Sequence, residues 1–171
     1  MIGDSSRSLV TIDGTDMPVE LSFNEAFFSV KFKHSGFKYE VGVCIKTGYI
    51  VWINGPFRCG QNDLNVARIA LIGALDHGES AVADGGYRGE DHAIRTPLEG
   101  SEIERRMQAT ARSRHETVNE RLKIFNVLGP PARFRHTLSF HSSCFRAVAV
   151  ITQLSFENGS PPFQVEFYEN G

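Results

Sequence analysis

The chain has 171 residues, 41% of them apolar and 22% charged, with a formal net charge of −2. That length fits one domain with a sizeable core, and the charge content argues against disorder. The near-neutral balance excludes a generic polyanion binder, so any nucleic-acid contact must come from a local patch.

Three widely spaced cysteines, Cys44, Cys59 and Cys144, form no Cys-x-x-Cys pair. They point to free thiols in a reducing compartment rather than to structural zinc. No apolar run approaches a membrane span, and the first residues lack the apolar core of a signal peptide.

The run Leu9-Val10-Thr11-Ile12 predicts a first strand within Ser8 to Met17. Asp13 follows, on the face opposite Val10 and Ile12 by strand alternation. Gly14 marks a close backbone approach or a bulge; the alternative is a plain Asp-Gly turn. Glu20 to Phe28 has no clear pattern. Phe27, Phe28, Val30 and Phe32 then sit among Lys31, Lys33, His34 and Lys38. This basic stretch reads either as a phosphate-facing patch with aromatic residues beside it or as a solvated strand face.

Tyr39 to Lys46 and Tyr49 to Asn54 flank Thr47-Gly48, a hairpin signal, and Gly55-Pro56 ends the second strand. Gly60 to Asp63 resembles an amino-terminal cap, with a helix running to about Leu75 and Leu64, Ala67, Leu71 and Leu75 on one face. Asp63 is a cap or first-turn residue. Asp76-His77-Gly78 stops this helix.

Ser80 to Ala83 is a short buried strand that delivers Asp84 at its carboxyl end, into the glycine-rich turn Gly85-Gly86-Tyr87-Arg88-Gly89. A carboxylate facing an open loop can hold a metal ion; the competing reading is a turn in which Asp caps the bend. Ala93 to Leu98 predicts another short strand. Glu102 to Leu128 is helical, with an apolar stripe of Met107, Ala111, Val118, Leu122 and Phe125, and Gly129-Pro130-Pro131 stops it. His136 to Leu154 is a second helical stretch, whose His136 and His141 read as solvent or capping residues. Phe163 to Tyr168 alternates and adds a strand. The order predicts an α/β fold, a mixed sheet with helices on both faces.

Opposite the apolar stripe of the Glu102 helix, Arg112, Glu116 and Lys123 fall at i, i+4 and i+11, within about 40° of one another, with Asn119 beside them. A carboxylate flanked by two cations on one helix face is either a site or an ordinary solvated face with i,i+4 charge pairs.

Taken together, Ile12-Asp13-Gly14-Thr15, Asn54-Gly55-Pro56, Ala83-Asp84-Gly85-Gly86-Tyr87 and Arg112-x-x-x-Glu116-x-x-x-x-x-x-Lys123 resemble a DDE transposase. The match is to the PIF/Harbinger-like group with a Tnp4-type nuclease domain and runs from about Val10 to Tyr168. The resemblance implies a ribonuclease H-like fold with a mixed five-stranded sheet. It implies one nuclease domain over residues 1–171, with a core of about 8–154, an extension over 155–171 and no upstream DNA-binding domain.

By the same resemblance Asp13, Asp84 and Glu116 are the catalytic acids and hold two Mg²⁺ or Mn²⁺ ions, which take oxygen ligands. Arg112, Asn119 and Lys123 contact DNA. The implied partners are transposon-end DNA, a separate DNA-binding protein and a second copy of the chain, and the implied location is the nucleus. Two other functional classes stay open: an idle transposase-derived module that binds DNA or protein, and a metal-dependent phosphoesterase acting on small substrates.

Overall fold

The computed structural model describes residues 7–20, 27–30, 33–97, 101–128 and 137–166. Strand β1 (Arg7–Pro18) is the middle of the sheet. On one side it pairs antiparallel with β3 (His34–Cys44) from Val10↔Cys44 to Pro18↔Gly36. On the other it pairs parallel with β5 (Glu79–Val82). A two-residue strand β2 (Phe28–Ser29) and β4 (Ile50–Arg58) both pair with β3, and β6 (Ile94–Arg95) extends the sheet beyond β5. The sheet is therefore mixed and six-stranded, against the five strands expected; the strand not expected is the two-residue β2.

The β1–β5 ladder is not regular. Its pairs run Arg7↔Glu79 and Ser8↔Ser80, then Val10↔Ala81 and Thr11↔Val82, so Leu9 is an extra residue in β1. The hairpin expected around Thr47-Gly48 joins β3 to β4, but β4 continues through the cis Gly55–Pro56 peptide to Arg58 instead of ending there. A register shift between Lys38 and Glu40 absorbs the proline, which lacks the N–H a regular ladder needs.

The helix expected from Gly60 to about Leu75 is two pieces, α1 (Asp63–Ile69) and α2 (Leu71–Ala74), broken where Ala70 turns to φ −145°. Asn62, not Asp63, caps it: its side chain accepts from the Asn65 N–H. Helix α3 (Glu102–Lys123) starts on a capping box between Ser101 and Glu104, which satisfies two otherwise orphaned N–H groups. Helix α4 (Leu138–Glu157) is capped by Thr137. Residues 161–166 form no strand. Lys31, Phe32, Leu98, Gly129-Pro130-Pro131, His136 and Tyr168 lie outside the described residues.

Strand alternation sorts the core into two layers. Odd-numbered Phe37, Tyr39, Val41 and Val43 of β3 pack under α3 and α4 with Val118, Leu122, Phe145 and Val148. Val10 and Ile12 of β1 pack under α1 and α2 with Leu64, Ala67, Leu71, Ala81 and Tyr87. His141 is no surface residue: it is fully buried, stacks on Tyr39 and meets its hydroxyl at 2.8 Å. Burial pushes its pKa down to about 4, so it is neutral here. Among the described residues no helix is long and apolar enough to cross a membrane.

Candidate active site

The two aspartates belong to neighbouring parallel strands: Asp13 lies within β1 and Asp84 just beyond the end of β5. The last ladder pair is Thr11↔Val82; carried on by two residues, that register brings Asp13 level with Asp84. Each acid is tied down by a glycine after it. The Gly14 N–H donates to Asp13 Oδ1 at 2.8 Å, and the Gly86 N–H donates to Asp84 Oδ1 at 2.8 Å. Asp84 thereby caps the single 3₁₀ turn Gly85–Tyr87. The turn-capping reading of Asp84 thus describes its backbone role and leaves its second oxygen for other work.

Helix α3 is fixed across β1 by two polar contacts. His115 Nδ1 meets Thr11 Oγ1 at 2.9 Å, and Thr11 Oγ1 donates onward to the Val43 carbonyl. One turn later the Asn119 amide donates to Asp13 Oδ2 at 3.0 Å. Burial pushes His115 down to about 3, so the ring serves as a neutral peg rather than a base. This pinning sets the exposed Glu116, between His115 and Asn119 in sequence, at the rim of the acids. Asp13, Asp84, Glu116, Arg112, His115 and Ile12 line one cavity of about 140 Å³.

Among the described residues no three His, Cys, Asp or Glu side chains stand close enough together to hold a metal ion. The three acids share a cavity, but their carboxylates do not meet at one point in this conformation. The donor set is nonetheless all oxygen, which suits Mg²⁺ or Mn²⁺ rather than zinc. Arg112 carries a buried Nε with no hydrogen-bond partner. A buried, unmet guanidinium donor beside carboxylates is a ready seat for a phosphate oxygen.

A second, larger cavity of about 720 Å³ shares Asp13 and Asp84 with the first and is bounded by Gly14, Asp16, Lys38, Arg58, Gln61 and Asp63 among others. Lys38, read from sequence as part of a basic surface, is 8% exposed. Its Nζ donates to Asp63 Oδ1 at 2.6 Å and to the Gln61 carbonyl at 2.7 Å, so it is not open to phosphate. Burial raises the Asp16 carboxyl above its ordinary range, against the pull of Lys38. Glu40 of β3, opposite Gly14 in the ladder, is fully buried; desolvation pushes it up to about 7, although the Trp52 indole N–H donates to its Oε2 at 2.9 Å.

Lys123 is exposed in the last turn of α3. Asn119 is 7% exposed and committed to Asp13. Thr11, His115, Asp63 and Glu40 were not singled out from sequence as site residues, and Lys38 was read only as part of a phosphate-facing patch or a solvated strand face. The one available signal was the match between polar residues at i, i+2 on β1 (Thr11, Asp13) and at i, i+4 on α3 (His115, Asn119).

No curated protein and no solved structure matches the chain. Residues 4–169 match the family model described as transposase DDE domain. Domains of this family carry out transposition-related nuclease chemistry, are generally dependent on divalent metal and generally bind DNA. With nearly its whole length matched, the chain belongs to the DDE transposase family.

Proposed function

We propose that this chain is the nuclease and strand-transfer domain of a PIF/Harbinger-like transposase with a ribonuclease H-like sheet. In this reading Asp13, Asp84 and Glu116 act on DNA phosphodiesters. The observation that carries it is the shared cavity: the middle of β1, the turn after β5 and helix α3, far apart in sequence, each bring one carboxylate to its wall. The acids would hold two Mg²⁺ or Mn²⁺ ions, and the chemistry such ions supply is activation of a water or 3′ hydroxyl and stabilisation of the leaving oxygen.

The chain's own residues do the rest. Gly14 and Asn119 hold both oxygens of Asp13 by donated hydrogen bonds, which orients its remaining lone pairs. The Gly86 N–H does the same for Asp84. Arg112 offers its unmet Nε–H to a phosphate oxygen, and Lys123 contributes an exposed charge to the backbone. Asn119 acts through Asp13 rather than on DNA. The wider assignment includes transposon-end DNA, a separate DNA-binding partner, a second copy of the chain and a nuclear location.

A second reading, an idle transposase-derived binding module, draws on the failure of the three carboxylates to meet at one point. The deciding experiment is nicking of supercoiled plasmid by the purified chain in Mn²⁺, with Asp84→Asn alongside. Metal-dependent nicking that Asp84→Asn cuts by about a thousandfold or more, several kcal/mol of lost charge stabilisation, supports the nuclease. DNA retention without nicking under any divalent ion would establish the idle module.

A further inference from the structure

The glycines that anchor the two aspartates have something else in common. Among the described residues the positive-φ glycines are Gly48, Gly55, Gly78, Gly89 and Gly159; neither Gly14 nor Gly86 is one of them. Their lack of a side chain is therefore spatial rather than conformational. A methyl group on Gly14 would lie 2.8 Å from Asp63 Oδ1 and 3.3 Å from Lys38 Cδ. A methyl group on Gly86 would lie 3.1 Å from Asp63 Oδ2 and 3.0 Å from Asp84 Oδ1. The two oxygens of one side chain thus face the two glycines whose N–H groups hold Asp13 and Asp84.

Asp63 is itself held. It is the first residue of α1, next to the Asn62 cap, and Lys38 grips its Oδ1 at 2.6 Å while donating to the Gln61 carbonyl. Lys38 comes from β3, where it faces Asp16 of β1 in the ladder. The pair is largely shielded, with side-chain exposures of 10% for Lys38 and 31% for Asp63, so the contact is less screened than a surface ion pair.

We propose that Lys38 and Asp63 form a charged strut between the β1 segment carrying Asp13 and the loop carrying Asp84, a pair of positioning residues that fixes the spacing of the two acids. This rests on the metal-holding reading above for its functional effect, but the strut itself is a matter of geometry. It accounts for glycine at both 14 and 86, for the charge on Asp63 at the first turn of α1, and for a lysine shielded among Asp13, Asp16, Asp63 and Asp84. The strut touches neither metal nor DNA; it acts through Gly14 of β1 and the Gly86 turn.

The test uses the full chain and two independent readouts. The first is Mn²⁺ affinity, from the metal-induced rise in melting temperature. Asp63→Asn and Lys38→Met should each weaken it by about ten- to a hundredfold, as loss of an outer-shell support does, and should lower kcat for plasmid nicking with KM for DNA unchanged. The second readout is a double-mutant cycle on melting temperature without metal. Gly14→Ala should lower the melting temperature in the wild-type background and lower it much less in an Asp63→Ala background, because the clashing oxygen is gone.

Unchanged Mn²⁺ affinity in both charge variants, in a wild type that does bind Mn²⁺, would overturn the strut's functional role. Additive effects of Gly14→Ala and Asp63→Ala would overturn its geometry. A wild type with no Mn²⁺ response defeats the nuclease reading instead, and the cycle alone then decides the strut.

Discussion

Under α3 and α4, β3 contributes the row Phe37, Tyr39, Val41 and Val43, while β1 adds Met17 beside the polar Thr11 and Asp13. Under α1 the allocation is reversed: β1 contributes Val10 and Ile12, and β3 contributes the polar Lys38 and Glu40. Each helix layer is thus packed mainly by one strand and fastened through polar groups of the sheet. On the α3 side His115 meets Thr11, Asn119 donates to the Asp13 carboxylate, and the fully buried Arg114 donates to the Cys44 and Ile45 carbonyls. On the α1 side the fastening is the Lys38–Asp63 ion pair. One side seats its cation on backbone carbonyls and the other on a carboxylate.

The most severe way to break this comparison is to empty each layer. Phe145 is fully buried and stacks on Tyr39 with ring centroids 3.8 Å apart, so Phe145→Ala should cost about 3–5 kcal/mol in urea unfolding. Leu71→Ala, in the thinner layer under the two short helices, should cost about 2 kcal/mol, since that edge can collapse onto the gap. Equal losses would mean that the two layers are one cooperative core.

Acidity separates the faces next. Glu40 has a folded pKa raised to about 7, so the folded state binds the extra proton and stability falls as pH rises from about 4.5 through 7. His141 and His115 have folded values lowered to about 4 and about 3. The unfolded chain there binds the extra protons, and stability falls as pH drops below 6.5 toward those values. Glu40→Gln should therefore remove the high-pH loss, worth about 2 kcal/mol between pH 5 and 8, and leave the acid limb intact. Urea midpoints across pH 4 to 8 measure both limbs; an unchanged high-pH limb would show that Glu40 ionises freely.

A finer contrast sets Asn119→Ala against the Lys38–Asp63 variants. Losing the Asn119 amide frees Asp13 Oδ2 and should reduce Mn²⁺ affinity by about tenfold. The Lys38–Asp63 variants should weaken it by as much or more. A larger loss from Asn119→Ala would make the strut the lesser support. The smallest expected effect is at the exposed Lys123: Lys123→Ala should flatten the log–log salt dependence of duplex binding by about 0.9, one phosphate contact, evenly across sequences.

The three acids were legible in the sequence because each carries a local mark: a β-prone run or a helical stripe, with a glycine or an i,i+4 charge beside it. Their supports were not. Lys38–Asp63, Thr11–His115 and Asp13–Asn119 join residues 25, 104 and 106 positions apart, and no periodicity within one element reports such a partner. Lys38 looked like surface because lysine usually is; only the fold shows that β3 alternation turns it inward. Asp63 was read as a cap or first-turn residue and is the latter, next to the Asn62 cap; nothing local reports that its carboxylate also meets Lys38. Pro56 looked like a strand end because a bulge, which lets a strand pass a proline, leaves no clear trace in composition.

The extra residue in β1 has a consequence for the phase of the whole site. Leu9 is 51% exposed and adds little to the core, yet it offsets β1 against β5 by one step. Were Leu9 paired in a regular ladder instead, Asp13 would stand level with Gly85 rather than with Asp84. A one-residue slip in a strand also exchanges its faces, so the carboxylate would turn toward α1 and away from Asn119. The bulge works as a vernier: it converts a ladder spacing of about 3.3 Å into the alignment of two carboxylates. Deleting Leu9 should remove the bulge yet keep Val10↔Ala81 and Thr11↔Val82, whereas a bulge-free pairing that retains Leu9 should silence the site.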